Sequence, residues 1–134
     1  MEQDRVFEKR ILVVEDDPSA RESIILLLRI DRHTVTEAKD GNEALDLLSR
    51  QSFDLVMLDY AMPGMQGWEV ALNIKRIAPA LPILMVTAYL EKLGGIDKPV
   101  DAVLGKPFAM DELRSAITKL IMPGDERADM NLCN

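Results

Sequence analysis

Short apolar runs alternate with amphipathic segments along most of the chain. The run from Arg10 to Val14 is continuous and rich in β-branched residues, which is typical of a strand buried on both faces of a sheet. Asp17 and Pro18 have the residue types of a helix N-cap and a first helical position. Apolar residues then recur at helical spacing and predict a first helix over about 18–30.

The same alternation continues and predicts five strands and four regular helices. The stretch 89–100 breaks it, because Gly94, Gly95 and Pro99 favour a helix that is short or irregular. The triplet Met122-Pro123-Gly124 is predicted to stop the last helix. The predicted strands cover 10–14, 34–38, 55–58, 82–87 and 102–104, and the predicted helices cover about 18–30, 43–50, 68–77 and 111–121.

Strands that alternate with helices predict βαβ units, a parallel sheet and right-handed crossovers. We therefore expect an α/β fold, a three-layer doubly wound sandwich with a five-stranded parallel sheet in its middle layer. In open sheets of this kind, ligands bind beyond the carboxyl ends of the strands. One domain is expected over 10–121, with a flexible lead-in at 1–9 and a polar tail or the start of a linker at 122–134.

The composition narrows the classes of function. The 134 residues suffice for one domain, and 16 basic against 23 acidic residues give a net charge of −7. Direct nucleic-acid binding is not expected, because it requires clustered Lys and Arg. Apolar runs too short to span a membrane and a single cysteine, Cys133, favour a cytoplasmic protein. The lone His33 is predicted to lie at the surface or at a strand edge rather than to bind metal or act as a base.

Acidic residues follow two of the predicted strands. Asp59 ends the third strand, while Glu15 and Asp16 follow the first. Carboxylates held close together need a cation, and oxygen ligands without His or Cys favour Mg²⁺. A carboxylate beside Mg²⁺ can attack a phosphoryl group, with Lys106 neutralising charge and Thr87 bonding to one of the oxygens. Each residue alone has an ordinary interpretation as a cap, a turn former or a surface charge; the combination of five along a βα pattern favours the functional one.

Four motifs make the chain resemble a bacterial two-component response regulator, in its receiver domain, over roughly residues 10 to 121. They are ILVVEDDPSAR at 11–21, DLVMLDYAMPGMQG at 54–67, ILMVTA at 83–88 and GKPF at 105–108. The resemblance implies a flavodoxin-like sheet with the strand order 2-1-3-4-5, which is one of the two common orders of doubly wound sheets.

The resemblance also implies a metal site. Asp16 and Asp59 would bind Mg²⁺ directly, together with the backbone carbonyl of Ala61, and Mn²⁺ would be able to substitute. Glu15 would contribute through water, at a position where the family has either Asp or Glu.

The remaining roles concern the phosphoryl group. Asp59 would accept it from a phosphohistidine on a sensor histidine kinase or a histidine phosphotransfer domain. Lys106 would form an ion pair with it, and Thr87 would bond to it when the switch fires. The resemblance further implies a cis peptide between Lys106 and Pro107, and space for the phosphoryl group beside the small Ala88.

Two features depart from the family pattern. Val103 stands where a Tyr or Phe is common, so no aromatic ring is available to swing inward, and 89–100 is a few residues shorter than the family's usual segment. We therefore expect output to run through a remodelled loop at 89–100. Tyr89 and Ala61 border the path of an attacking water and cannot activate it, so slow self-dephosphorylation is also expected.

The leading prediction is a signalling switch, not an enzyme with a free substrate, and two other functions compete with it. A phosphatase of the haloacid-dehalogenase type requires a second Asp two residues after the nucleophile, where this chain has Ala61. A pseudo-receiver usually lacks the acceptor, an acidic residue or the lysine, and all are present here. The implied partners are a kinase and an unspecified output partner or domain, with a weak homodimer left open and no membrane partner expected.

Overall fold

The computed structural model describes residues 7–62, 64, 66–88 and 99–133, with side chains described as far as residue 121. Strands and helices alternate along these residues. The strands are β1 (Arg10–Val14), β2 (Thr34–Ala38), β3 (Leu55–Asp59), β4 (Ile83–Thr87) and β5 (Ala102–Gly105), and the helices are α1 (Pro18–Ile30), α2 (Gly41–Arg50), α3 (Gly67–Ile77) and α4 (Met110–Cys133).

The five strands form one parallel sheet in the order β2-β1-β3-β4-β5, as predicted. Because β1 and β3 are neighbours, the strand order reverses between them, and this is where such sheets open a crevice. Val14 pairs with Leu58 in the register of these two strands. The residues that follow Val14 and Leu58 therefore emerge side by side at the carboxyl edge.

Alternate residues of each central strand pack into two apolar layers. Leu12 and Val14 of β1 contact the layer that contains α2 and α3, whereas Ile11 and Val13 contact the layer that contains α1 and α4. All five residues of β3 and all five of β4 are buried. Burial on both faces explains why these strands have continuous rather than alternating apolar patterns.

The start of α1 follows the sequence prediction. The Asp17 side chain accepts a hydrogen bond from the backbone N–H of Ala20 at 2.9 Å, and Pro18 is the first helical residue. Asp40 caps α2 in the same way, because its side chain accepts the N–H of Glu43 at 2.8 Å. Both caps lie at the carboxyl edge, where they fix the loops that carry polar residues.

The predicted stop of the last helix is wrong. α4 continues through Met122-Pro123-Gly124 to Cys133. An internal proline removes one backbone hydrogen bond and costs about 3 kcal/mol relative to alanine. Good helix formers such as Glu126, Arg127 and Ala128 follow it, so the helical preference resumes within one turn.

His33 lies directly before the edge strand β2, as one of the two predicted positions has it, but it is buried, so the surface alternative is wrong. Its side chain is 5% exposed, and its Nδ1 accepts the backbone N–H of Lys9 at 3.0 Å. The predicted short or irregular helix lies in 89–98, outside the described residues. No helix among the described residues is both long and apolar enough to cross a membrane.

Candidate functional site

Three acidic side chains meet at the carboxyl edge of β1 and β3. One carboxylate oxygen each from Glu15, Asp16 and Asp59 lies within 4.8 Å of the others. Glu15 and Asp59 are buried, and Asp16 is partly exposed. The cluster follows from the register, since Glu15 comes directly after the residue that pairs with Leu58, and Asp59 directly after Leu58.

Lys106 supplies the positive charge of the cluster. Its Nζ lies 3.1 Å from Oε1 of Glu15 and 3.2 Å from Oδ1 of Asp59. Its backbone N–H donates to the carbonyl of Thr87 at 2.8 Å, which continues the β4–β5 ladder one residue beyond Gly105. The peptide bond from Lys106 to Pro107 is cis, as the resemblance implied.

Thr87 is the last residue of β4 and is 1% exposed. Because Asp59 pairs with Val86, Thr87 lies one residue further along the same edge. Ala88, which follows it, is exposed. Ala61 lies two residues after Asp59 and is exposed. The structure therefore brings the predicted site residues to one edge of the sheet.

Two residues with structural roles at this edge were missed by the sequence analysis. Gly67 occurred there only within a quoted motif, yet a Cβ atom at this position would lie 2.6 Å from the carbonyl oxygen of Asp59 and 2.7 Å from that of Tyr60. Its N–H donates to the Tyr60 carbonyl at 2.9 Å. Only glycine permits α3 to begin this close to the end of β3. The second residue, Arg21, bonds to the acidic loop and was quoted only within a motif.

The electrostatics of the site follow from burial and crowded charge. Burial raises the pKa of Asp59 to about 6, the charge of Glu15 adds to this shift, and Lys106 partly offsets it. Asp59 is therefore mainly ionised at neutral pH while remaining sensitive to mild acid. Burial acts to lower the pKa of Lys106, but hydrogen bonds and charges from Glu15 and Asp59 together outweigh burial and raise it.

The donor set fits a hard divalent cation. All three clustered side chains offer carboxylate oxygens, and the single ammonium group of Lys106 leaves their combined negative charge incompletely balanced. Oxygen ligands without imidazole or thiolate favour Mg²⁺ over transition metals. Glu15, Asp16 and Asp59 are the residues that would hold such an ion.

The fold and this cluster agree with what is found among known proteins. Residues 11–118 match the family model of the response regulator receiver domain. The chain belongs to that family. Receiver domains of response regulators are phosphorylation-dependent signalling switches rather than classical enzymes.

Among curated relatives, the response regulator MprA of Mycolicibacterium vanbaalenii is 41% identical over 115 residues, which cover 84% of this chain and 50% of that protein. MprA of Mycobacterium leprae is 39% identical over the same length. The receiver domain thus spans about half the length of the curated relatives it matches.

Two solved structures resemble this receiver domain over nearly their whole length. The response regulator TrrA of Thermotoga maritima, in complex with Mg²⁺ and BeF, is 36% identical with a TM-score of 0.78, covering 84% of this chain and 98% of that one. The receiver domain of a Pseudomonas aeruginosa sensor histidine kinase, with a magnesium ion in its active-site cleft, is 28% identical with a TM-score of 0.78, covering 85% and 98%.

Proposed function

We propose that this receiver domain accepts a phosphoryl group on Asp59 from a phosphohistidine, in a reaction that depends on Mg²⁺. One observation carries the proposal: a buried carboxylate, two further carboxylates and a lysine ammonium group converge at the strand-order reversal. A purely structural role does not account for this cluster. Three acids around one lysine leave negative charge uncompensated, and that charge lowers the free energy of unfolding.

The chemical step is an in-line displacement. An Oδ atom of ionised Asp59 attacks the phosphorus, the P–N bond to the donor imidazole breaks, and its electron pair remains on the imidazole nitrogen. Lys106 Nζ already lies 3.2 Å from Asp59 Oδ1, so it is positioned to stabilise negative charge that develops on the transferred oxygens. Mg²⁺ bound at the cluster would supply charge neutralisation and orientation of the phosphoryl oxygens.

Thr87 and Ala88 support the proposal at the end of β4. A hydroxyl side chain at the carboxyl edge, followed by a residue with only a methyl group, leaves space for a phosphoryl group and a hydrogen-bond donor for it. The bond between Thr87 and the phosphoryl group would then draw the end of β4 toward Asp59. This displacement is the proposed start of the change in the partner-binding surface.

The partners follow from the chemistry. A histidine kinase or histidine phosphotransfer domain would donate the phosphoryl group. The chain spans only half the length of its curated relatives, so an output domain and its activity are also part of the proposal. Mn²⁺ is proposed as a substitute for Mg²⁺, since it also accepts oxygen ligands. Output through 89–100 remains part of the proposal and lies largely outside the described residues.

Incubation with acetyl phosphate, with and without Mg²⁺, followed by intact mass measurement tests the proposal. We expect one phosphoryl adduct on the wild type with Mg²⁺ and none on Asp59→Asn. Asp54→Asn is a matched control, because Asp54 is exposed at the opposite end of β3, and it should label like the wild type. A wild-type chain that takes up no phosphoryl group from either acetyl phosphate or a phosphorylated kinase domain would favour a pseudo-receiver.

A further inference from the structure

Arg21 connects the acidic loop to the neighbouring strand. Its Nη1 donates to the backbone carbonyl of Glu15 at 2.7 Å, and its Nε donates to Oε1 of Glu37 at 2.9 Å. Resting on the proposed function, we propose that Arg21 is a positioning residue of the metal site, which holds the Glu15–Asp16 peptide in the orientation that directs both carboxylates toward Asp59.

The peptide that Arg21 contacts links two of the three acids. Because a peptide unit is planar, fixing the direction of the Glu15 carbonyl also fixes the nitrogen and Cα of Asp16. The preceding peptide is fixed as well, since the N–H of Glu15 donates to the carbonyl of Ala38 at 3.0 Å. Glu15 is therefore tied to β2 through its N–H and to α1 through its carbonyl, by way of Arg21.

The geometry gives less support to the alternative role of Arg21, in which it forms only a stabilising ion pair at the surface. The Glu37 side chain is 54% exposed, and ion pairs with such a partner contribute little to stability. The Arg21 side chain is only 18% exposed and uses two different nitrogens on two partners at once. A lysine carries the same charge but lacks the planar fork that makes both contacts.

The sign of one measurement separates positioning from simple charge. Arg21 is a cation close to the proposed Mg²⁺ site, so removing its charge alone would strengthen Mg²⁺ binding. Removing a group that orients metal ligands instead weakens binding, typically by ten- to a hundredfold. The two effects act in opposite directions on the dissociation constant for Mg²⁺.

Mg²⁺ titration of the full chain, by calorimetry or by the fluorescence of the single Trp68, tests the proposal. We expect Arg21→Ala to raise the Kd about tenfold or more, and Arg21→Lys to raise it less. Arg29→Ala is the matched control, because it removes the same charge from an exposed position of α1, and its Kd should stay within twofold of the wild type. Thermal unfolding of each variant is measured in EDTA, and the Mg²⁺ titrations are carried out at a temperature at which all variants are folded. Differences in folding stability then do not affect the comparison of Kd values.

Unchanged or tighter Mg²⁺ binding by Arg21→Ala overturns the positioning role while leaving the proposed function intact. If Arg21→Ala does not fold, Arg21→Lys and Arg21→Gln replace it, and binding by both within twofold of the wild type overturns the proposal equally. A wild-type chain that binds no Mg²⁺ overturns the positioning role and the proposed function together, which distinguishes the two failures.

Discussion

Lys106 Nζ lies 3.2 Å from Oδ1 of Asp59, although the two residues are 47 positions apart in the chain. The same ammonium group also lies 3.1 Å from Oε1 of Glu15. Lys106 therefore already neutralises part of the acidic cluster. A cation bound there would share the carboxylates of Glu15 and Asp59 with Lys106. The lysine proposed to assist phosphoryl transfer would therefore also compete with the metal for these carboxylates.

Replacing Lys106 should separate these two effects. Lys106→Ala is expected to tighten Mg²⁺ binding about tenfold, because one positive charge a few ångströms from the ion is removed. The same variant should take up little or no phosphoryl group from acetyl phosphate, since the charge on the transferred oxygens loses its partner. Calorimetry and intact mass measure the two effects, with Lys119→Ala, at an exposed position of α4, as the control. Weaker Mg²⁺ binding by Lys106→Ala would contradict the competition.

Asp59→Asn should stabilise the metal-free protein. The pKa of Asp59 is raised from 3.8 to about 6, mainly by burial, so above pH 6 the folded state holds a charge that the unfolded state accommodates more easily. Removing that charge should raise the free energy of unfolding by up to about 3 kcal/mol at pH 7.5 in EDTA. The gain should shrink as the pH falls from 6 to 4, where the wild-type carboxylate becomes protonated.

Urea unfolding at several pH values measures this difference. Saturating Mg²⁺ should reverse the order, because the wild type gains the binding free energy that Asp59→Asn largely loses. A variant that is less stable than the wild type in EDTA at pH 7.5 would show that the ion pair with Lys106 outweighs burial.

The agreement between sequence and structure has a physical pattern. Strand bounds were predicted to within about one residue, because continuous apolar runs such as Leu55 to Leu58 have one way to be buried on both faces. Asp59 and Lys106 were predicted to meet because parallel strands bring their carboxyl ends to one edge. Strand pattern alone could not reveal Gly67 and Arg21, whose roles depend on contacts across the loops.

The burial of His33 could not be predicted for the same reason. Nothing in the sequence near it shows that the chain around Lys9 folds back over the start of β2, where Thr34 N–H donates to the Lys9 carbonyl at 2.8 Å. That cover buries a ring that the local pattern places at the surface. The extension of α4 beyond Pro123 differs in kind, since the helix continues through Pro123 and Gly124 although both disfavour a helix interior.

Buried His33 should make the protein less stable in mild acid. Burial lowers the pKa of His33 below 6.5, although the charge of Asp31 acts against this shift. Because Nδ1 accepts the Lys9 N–H, the ring proton of the neutral form resides on Nε2, which has no hydrogen-bond partner among the described residues. The unfolded state therefore takes up a proton before the folded state does, and stability falls as the pH drops below 6.5.

The single histidine makes this titration directly observable. The imidazole proton resonances of His33 should report a pKa below 6.5 in the folded protein. His33→Asn offers an oxygen to the Lys9 N–H but does not titrate, so it should lose less stability than the wild type between pH 7.5 and pH 5. A folded-state pKa at or above 6.5 would contradict the prediction.

Gly67→Ala should damage both the fold and the site. The added Cβ would lie 2.6 Å from the Asp59 carbonyl oxygen, which is backbone and cannot move aside without shifting Asp59 itself. We expect a loss of about 1–3 kcal/mol in the free energy of unfolding, together with weaker Mg²⁺ binding. Gly64→Ala is the matched control, because Gly64 has a φ of +82° and nothing within 4 Å of its added Cβ, so only backbone strain of about 1–2 kcal/mol arises. Urea unfolding of both variants should show comparable losses of stability. Mg²⁺ titration should show a loss of metal affinity in Gly67→Ala alone. Unchanged affinity in Gly67→Ala would mean that the start of α3 does not constrain Asp59.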